Sequence, residues 1–184
     1  LTANYYDDVA LGGGWAGNIK NAGFKGEITY FMSEESSEKN STSLSTSIDY
    51  SFKNGFYILG SHLYNSNGFS DPQQFDPHSV TQNVLSPKNL MPSKNSYLIQ
   101  ASAFITPAIN TSFTLLYGEG INFFFFSPNI SYDINSSLDA SIIGQFFYMD
   151  DEFNSDIITI DTDIAPINTI SRINGYYARL KWSF

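Results

Sequence analysis

Few side chains in this 184-residue chain are spaced for chemistry. Asp150, Asp151, Glu152, Asp156, Asp161 and Asp163 form the densest acidic cluster, and a hard cation such as calcium takes several carboxylate and carbonyl oxygens. Their spacing matches no EF-hand loop, and an exposed acid-rich loop is the simpler reading. His62 and His78 lie far apart and make no recognisable metal site, and no serine or aspartate has a histidine placed by sequence to activate it. The Gly12-Gly13-Gly14 run falls inside a strand pattern with no helix after it, so it reads as a close approach or bend rather than a phosphate cradle. With no cysteine, disulfides and thiolate metal sites are excluded. The chain therefore reads as no enzyme, with no catalytic residue, metal site or cofactor.

The remaining polar residues matter through their placement. Lys25, Glu27, Asp49, Gln100, Asp133, Asp139, Arg179 and Lys181 alternate with apolar neighbours, which puts them on one face of successive strands. The clearest strand is Ser43 to Phe52: Leu44, Thr46, Ile48, Tyr50 and Phe52 face one way, and four serines and Asp49 face the other. Phe24 to Ser33, Leu138 to Met149 and Pro128 to Ile134 repeat the design, the second with a greasier polar side. Tyr5 to Gly17, Phe56 to Asn65, Tyr97 to Thr106 and Thr111 to Gly118 are weaker members. Phe123 to Phe126 breaks the alternation, which a bulge or an aromatic girdle would explain.

Composition agrees with such two-faced strands. Apolar residues make up 42% and aromatic residues 16% of the chain, yet no apolar run approaches the roughly 18 to 20 residues of a membrane helix. A β-strand crosses a bilayer in about 9 to 11 residues, and its signal hides in average hydropathy. The net charge of -9 argues against nucleic acid or an anionic membrane surface as partner. No linker or composition shift divides residues 1–184, so a single domain is expected.

Short turns at 17–23, 53–55, 107–110 and 135–137 alternate with longer polar stretches at 34–42, 65–95 and 150–168, leaving 118–122 as the one tight reversal on the second side. The last strand, Tyr176, Ala178, Leu180, Trp182 and Phe184 alternating with Arg179, Lys181 and Ser183, ends on an aromatic. This strand resembles the terminal strand of bacterial outer-membrane β-barrels, and the chain as a whole is similar to porin-like proteins of Gram-negative bacteria, with a composition like that of Bacteroidetes outer-membrane proteins.

The resemblance implies an all-β fold, a transmembrane antiparallel β-barrel in the bacterial outer membrane. Its partners would be membrane lipid and lipopolysaccharide, the barrel-assembly machinery and other envelope proteins. Tyr176, Ala178, Leu180, Trp182 and Phe184 would be the assembly signal. Small polar solutes would diffuse passively past the eight alternating polar residues named above, facing the lumen.

About nine strands are counted. That number is odd where bacterial barrels are even, so the chain is expected to be the C-terminal part of a larger barrel, incomplete at the N-terminus. The alternative is a complete eight-stranded barrel in which residues 1–17 form a plug or arm. The segment 65–95, with Pro72, Pro77, Pro87, Pro92 and His78, either narrows the pore or, the preferred reading, lies above the membrane. Tyr50, Phe52, Phe56, Tyr57, Tyr132, Trp182 and Phe184 read as the girdle on the short-turn side. Two other classes remain open: a non-conducting small barrel serving as a structural, adhesion or accessory subunit of an envelope complex, and a soluble β-sandwich.

Overall fold

A computed structural model describes residues 2–5, 8–33, 39–71, 88, 90–149 and 172–183. The strands are β1 (Thr2–Tyr5), β2 (Asp8–Ile19), β3 (Ala22–Ser33), β4 (Ser41–Ser51), β5 (Tyr57–Asn65), β6 (Asn95–Thr106), β7 (Ile109–Glu119), β8 (Phe123–Asn135), β9 (Leu138–Tyr148) and β10 (Arg172–Trp182). They form one sheet in chain order, each antiparallel to the next, and no helix occurs among the described residues. Period-two alternation is the local cause, because it lets every strand present one polar and one apolar face.

The nine expected strands correspond to β2 to β10. The stretch read as a first strand over Tyr5 to Gly17 is mainly β2, and a short strand that the sequence reading did not count, β1, precedes it, paired with β2 from Thr2↔Leu11 to Tyr5↔Asp8. Nine long strands are thus joined by a four-residue tenth, and the first and last strands run in opposite senses. The sheet is open: β1 and β10 are its two edges and are not paired with each other.

Three of the four short turns are tighter than the sequence suggested, because the strands run further, while that expected at 53–55 is longer. Lys20-Asn21, residues 52–56, Pro107-Ala108 and Ser136-Ser137 make one rim; the strand ends at Tyr5, Asp8, Ser33, Ser41, Asn65, Asn95, Glu119, Phe123, Tyr148 and Arg172 lie at the other. In the 52–56 turn Gly55 adopts φ 83°, a conformation open to glycine, and its N–H donates to the Phe52 carbonyl.

Phe123 to Phe126 makes no bulge. These residues pair in regular register with β7, and the irregularities fall instead at Phe104/Thr106 and Asp133/Asn135. Phe124 and Phe126 share the face of Tyr117 and Leu115, while Phe123 and Phe125 share that of Gly118 and Leu116.

Register also sets the strand tilt. A line through directly opposed residues runs from Trp15 through Gly26, Thr46, His62, Tyr97, Tyr117, Phe124 and Tyr148 to Arg172. Above it β2 extends seven residues to Asp8 whereas β10 begins on it; below it β2 runs four residues to Ile19 and β10 ten to Trp182. Strand ends therefore slip six to seven residues over eight steps. At ~3.3 Å per residue and ~4.8 Å per strand this is a slant of about 30°, near the tilt of strands in a barrel wall.

Candidate functional site

The two faces of the sheet differ in chemistry along its whole width. Leu11, Trp15, Phe24, Ile28, Ile48, Ile99, Ile130, Ile142, Leu180 and Trp182 are all exposed and all lie on one face, with Ile142 at 63% and Trp182 at 74%. Together they make an apolar patch several strands wide. Aromatics bound it. Toward the long-loop rim stand Tyr30, Tyr64, Tyr97, Tyr117, Phe124 and Tyr148, and toward the short-turn rim Phe24, Tyr50, Tyr132 and Trp182.

Tyrosine hydroxyls on the upper line point to polar rim groups. Tyr97 donates to Glu119 Oε2 at 3.3 Å and Tyr117 to Asn122 Oδ1 at 3.3 Å. From Phe124 to Tyr132 on β8, eight residues at ~3.3 Å and about 30° of tilt span ~23 Å, against an apolar band about 25 Å tall in outer-membrane barrels.

The girdle expected on the short-turn side is partly redrawn. Tyr50, Phe52 and Phe56 form a chain of ring contacts at 4.5 and 5.4 Å, and Tyr132 and Trp182 join them on the apolar face. Tyr57 does not belong: it pairs with Ser51 and Ser102 on the polar face. Phe184 lies outside the described residues, as do the acidic cluster from Asp150 to Asp163 and the segment containing His78. Tyr176, Ala178, Leu180 and Trp182 share the apolar face of β10, an edge strand exposed along nearly all its length.

All eight polar residues singled out in the sequence share the opposite face. Lys25, Glu27 and Asp49 gather over β3 and β4, beside a shallow concavity of about 520 Å³ lined by Gly14, Ala16, Ser45, Ser47 and Ser61 as well as Lys25 and Glu27. Asp49 lies over Gly23, its directly opposed partner, where a Cβ would meet the carboxylate. A second group joins β8, β9 and β10. Asp133 and Lys181 both stand directly opposite Asp139, and Arg179 Nη2 is 3.6 Å from Asp139 Oδ1. The adjacent carboxylates repel, and the two cations offset that repulsion. Gln100, on β6, belongs to neither group.

One part of this face escaped the sequence reading. At the long-loop end it is buried: Asp8 is 4% exposed, Phe31 3%, Ser41 1% and Asn65 1%, on β2, β3, β4 and β5 respectively. Phe123 and Phe125 lie on the same face beside Phe147, with ring centroids 6.3 and 4.6 Å from it. What covers this end is the base of the 66–94 connection. Ser93 packs on Gly118, Ser70 on Gly120, and Lys88 pairs with Asp8. Prolines and distance in sequence hid these contacts, and only the aromatic run that puts Phe123 and Phe125 on the polar face hinted that something packs there.

Comparison of the chain with protein-family models, with curated proteins and with solved structures gives no match. Among the described residues no group of three or more His, Cys, Asp or Glu side chains is placed to hold a metal ion.

Proposed function

We propose that this sheet is the wall of an outer-membrane β-barrel, through which small polar solutes diffuse passively in the manner of porin-like proteins. One observation carries the reading. The exposed apolar face is a band bounded above and below by aromatic residues and backed by a polar face, as a strand wall between hydrocarbon and water requires. The roughly 30° slant and the unequal rims support it, as do the two open edges. Unpaired edge groups cannot face lipid, so a membrane wall must be completed at β1 and β10 by further strands or by one another. In the completed barrel the two charged groups on the polar face act on passing solutes as fixed fields of mixed sign.

The test is reconstitution of the natural protein in planar bilayers. Stepwise, ohmic conductance that requires detergent-extracted protein is the expected result; a protein that stays monodisperse in plain buffer overturns the membrane reading.

A second reading is a non-conducting barrel that serves as a structural, adhesion or accessory subunit of an envelope complex. The buried long-loop end of the polar face favours it. Lipid-dependent protein that inserts but never conducts would decide for it.

A further inference from the structure

The polar face is not polar throughout. On β8, β9 and β10 its directly opposed residues fall into rows that step toward the short-turn rim. The row nearest the long-loop rim is Phe125, Phe147 and Ile173, with the two phenyl rings 4.6 Å apart. Gln145 and Gly175 follow, then Asn129, Ile143 and Tyr177. A Cβ on Gly175 would come within 3.0 Å of the Tyr177 ring, so that ring leans over the glycine and closes the gap between the apolar rows. Ile173 and Tyr177 are each 53% exposed. Five apolar side chains thus make a platform on the face that the proposed wall turns to water.

The next row consists of hydrogen-bond donors, Ser131, Ser141 and Arg179. Ser141 is 4% exposed, and its Oγ has no hydrogen-bond partner among the described residues. Buried hydroxyls are ordinarily partnered, so this one has a hydrogen bond to give. The Arg179 side chain is 60% exposed; it touches Asp139 through one nitrogen, at 3.6 Å, and the rest of its donor fork is open. The carboxylates of Asp133 and Asp139, with Lys181 opposite Asp139, come one row later, ~6.6 Å further along the strands.

Resting on the proposed barrel reading, in which this face meets water, we propose that the platform and the donor row bind small amphipathic organic anions. An aromatic or branched-alkyl body lies on Tyr177, Ile143 and Ile173, and a carboxylate head meets Arg179 and Ser141. Apolar contact and charge-assisted hydrogen bonds then hold the two ends of one solute. A cation meets Arg179 before it reaches the carboxylates, and an anion without an apolar body gains nothing from the platform.

Calorimetry on the natural protein in nanodiscs of zwitterionic lipid, with empty nanodiscs as the blank, tests this independently of conductance. Phenylacetate should bind about tenfold tighter than phenylethanol or phenethylamine, the factor that one hydrogen bond to a charged group supplies, and acetate should give no measurable heat. Arg179→Gln should bring the affinity for phenylacetate down to that for phenylethanol and leave the alcohol unchanged. Tyr177→Ser should weaken both. Equal affinity of the natural protein for acid and alcohol overturns the proposal, as does a preference for the acid that survives Arg179→Gln or the absence of phenylacetate binding. The expected preference in a protein that never conducts leaves the site standing and removes the pore.

Discussion

Trp15 and Gly26 stand directly opposite one another on β2 and β3, and the indole lies across the glycine so closely that a Cβ there has no room. The ring shields a stretch of β3 backbone that the missing side chain would leave bare on the apolar face. Gly26→Ala should therefore displace Trp15 and cost about 1 to 3 kcal/mol by overpacking. The urea midpoint of the lipid-reconstituted protein reads the loss. In a Trp182→Phe background, where Trp15 is the only remaining tryptophan, a shifted emission maximum reports the displaced ring.

The assignment of faces is open to a direct comparison on β9. Ile142 lies on the apolar face near the middle of the strand, and Gln145 on the polar face three residues away. Arginine at position 142 should cost about 2 to 4 kcal/mol of folding free energy in lipid, the range for a cation at the midplane of a barrel wall. At position 145 the same substitution should be nearly neutral. Equal effects at the two sites would argue against hydrocarbon on one side only.

In the proposed pore, Arg179 is expected to matter for charge rather than for stability. Its guanidinium is 60% exposed and 3.6 Å from Asp139, so the pair contributes at most about 1 kcal/mol. Arg179→Gln should leave the unfolding midpoint almost unchanged while freeing the facing carboxylates of Asp133 and Asp139 from one cation. A reversal potential measured across a salt gradient should then move toward cation preference.

The alternating face of β10 is tested through its last residues. Trp182→Ser and Phe184→Ser should each lower the yield of membrane-inserted protein in cells while leaving the purified, refolded protein able to insert into lipid. A normal cellular yield for both would remove the assembly role from this strand.

Strand existence and facing were legible where alternation is strict. Ser43 to Phe52 marks β4, Leu138 to Met149 marks β9, and the polar residues from Lys25 to Lys181 share one face as their spacing implies. The weaker segments were legible as elements, with ends off by a few residues, because residues read as turn, such as Asn18, Ile109 and Asn110, continue the ladder instead of leaving it. Two features were not. The reversal between Tyr5 and Asp8 carries no glycine or proline to mark it, so β1 went uncounted ahead of β2. Tyr57 looked like a girdle residue because it adjoins Phe56, but one residue of register turns it to the polar face.

The amino-acid order alone determines which side chains share a surface, since a period of two is a property of the extended backbone and needs no partner. It also sets the contrast between short and long connections. Only the three-dimensional arrangement decided the slant of the strands, the two unpaired edges and the contacts that Ser70, Lys88 and Ser93 make with the sheet. Those depend on hydrogen-bond register and on contacts such as Asp8 with Lys88, 80 positions apart, for which no local pattern of residues carries a signal.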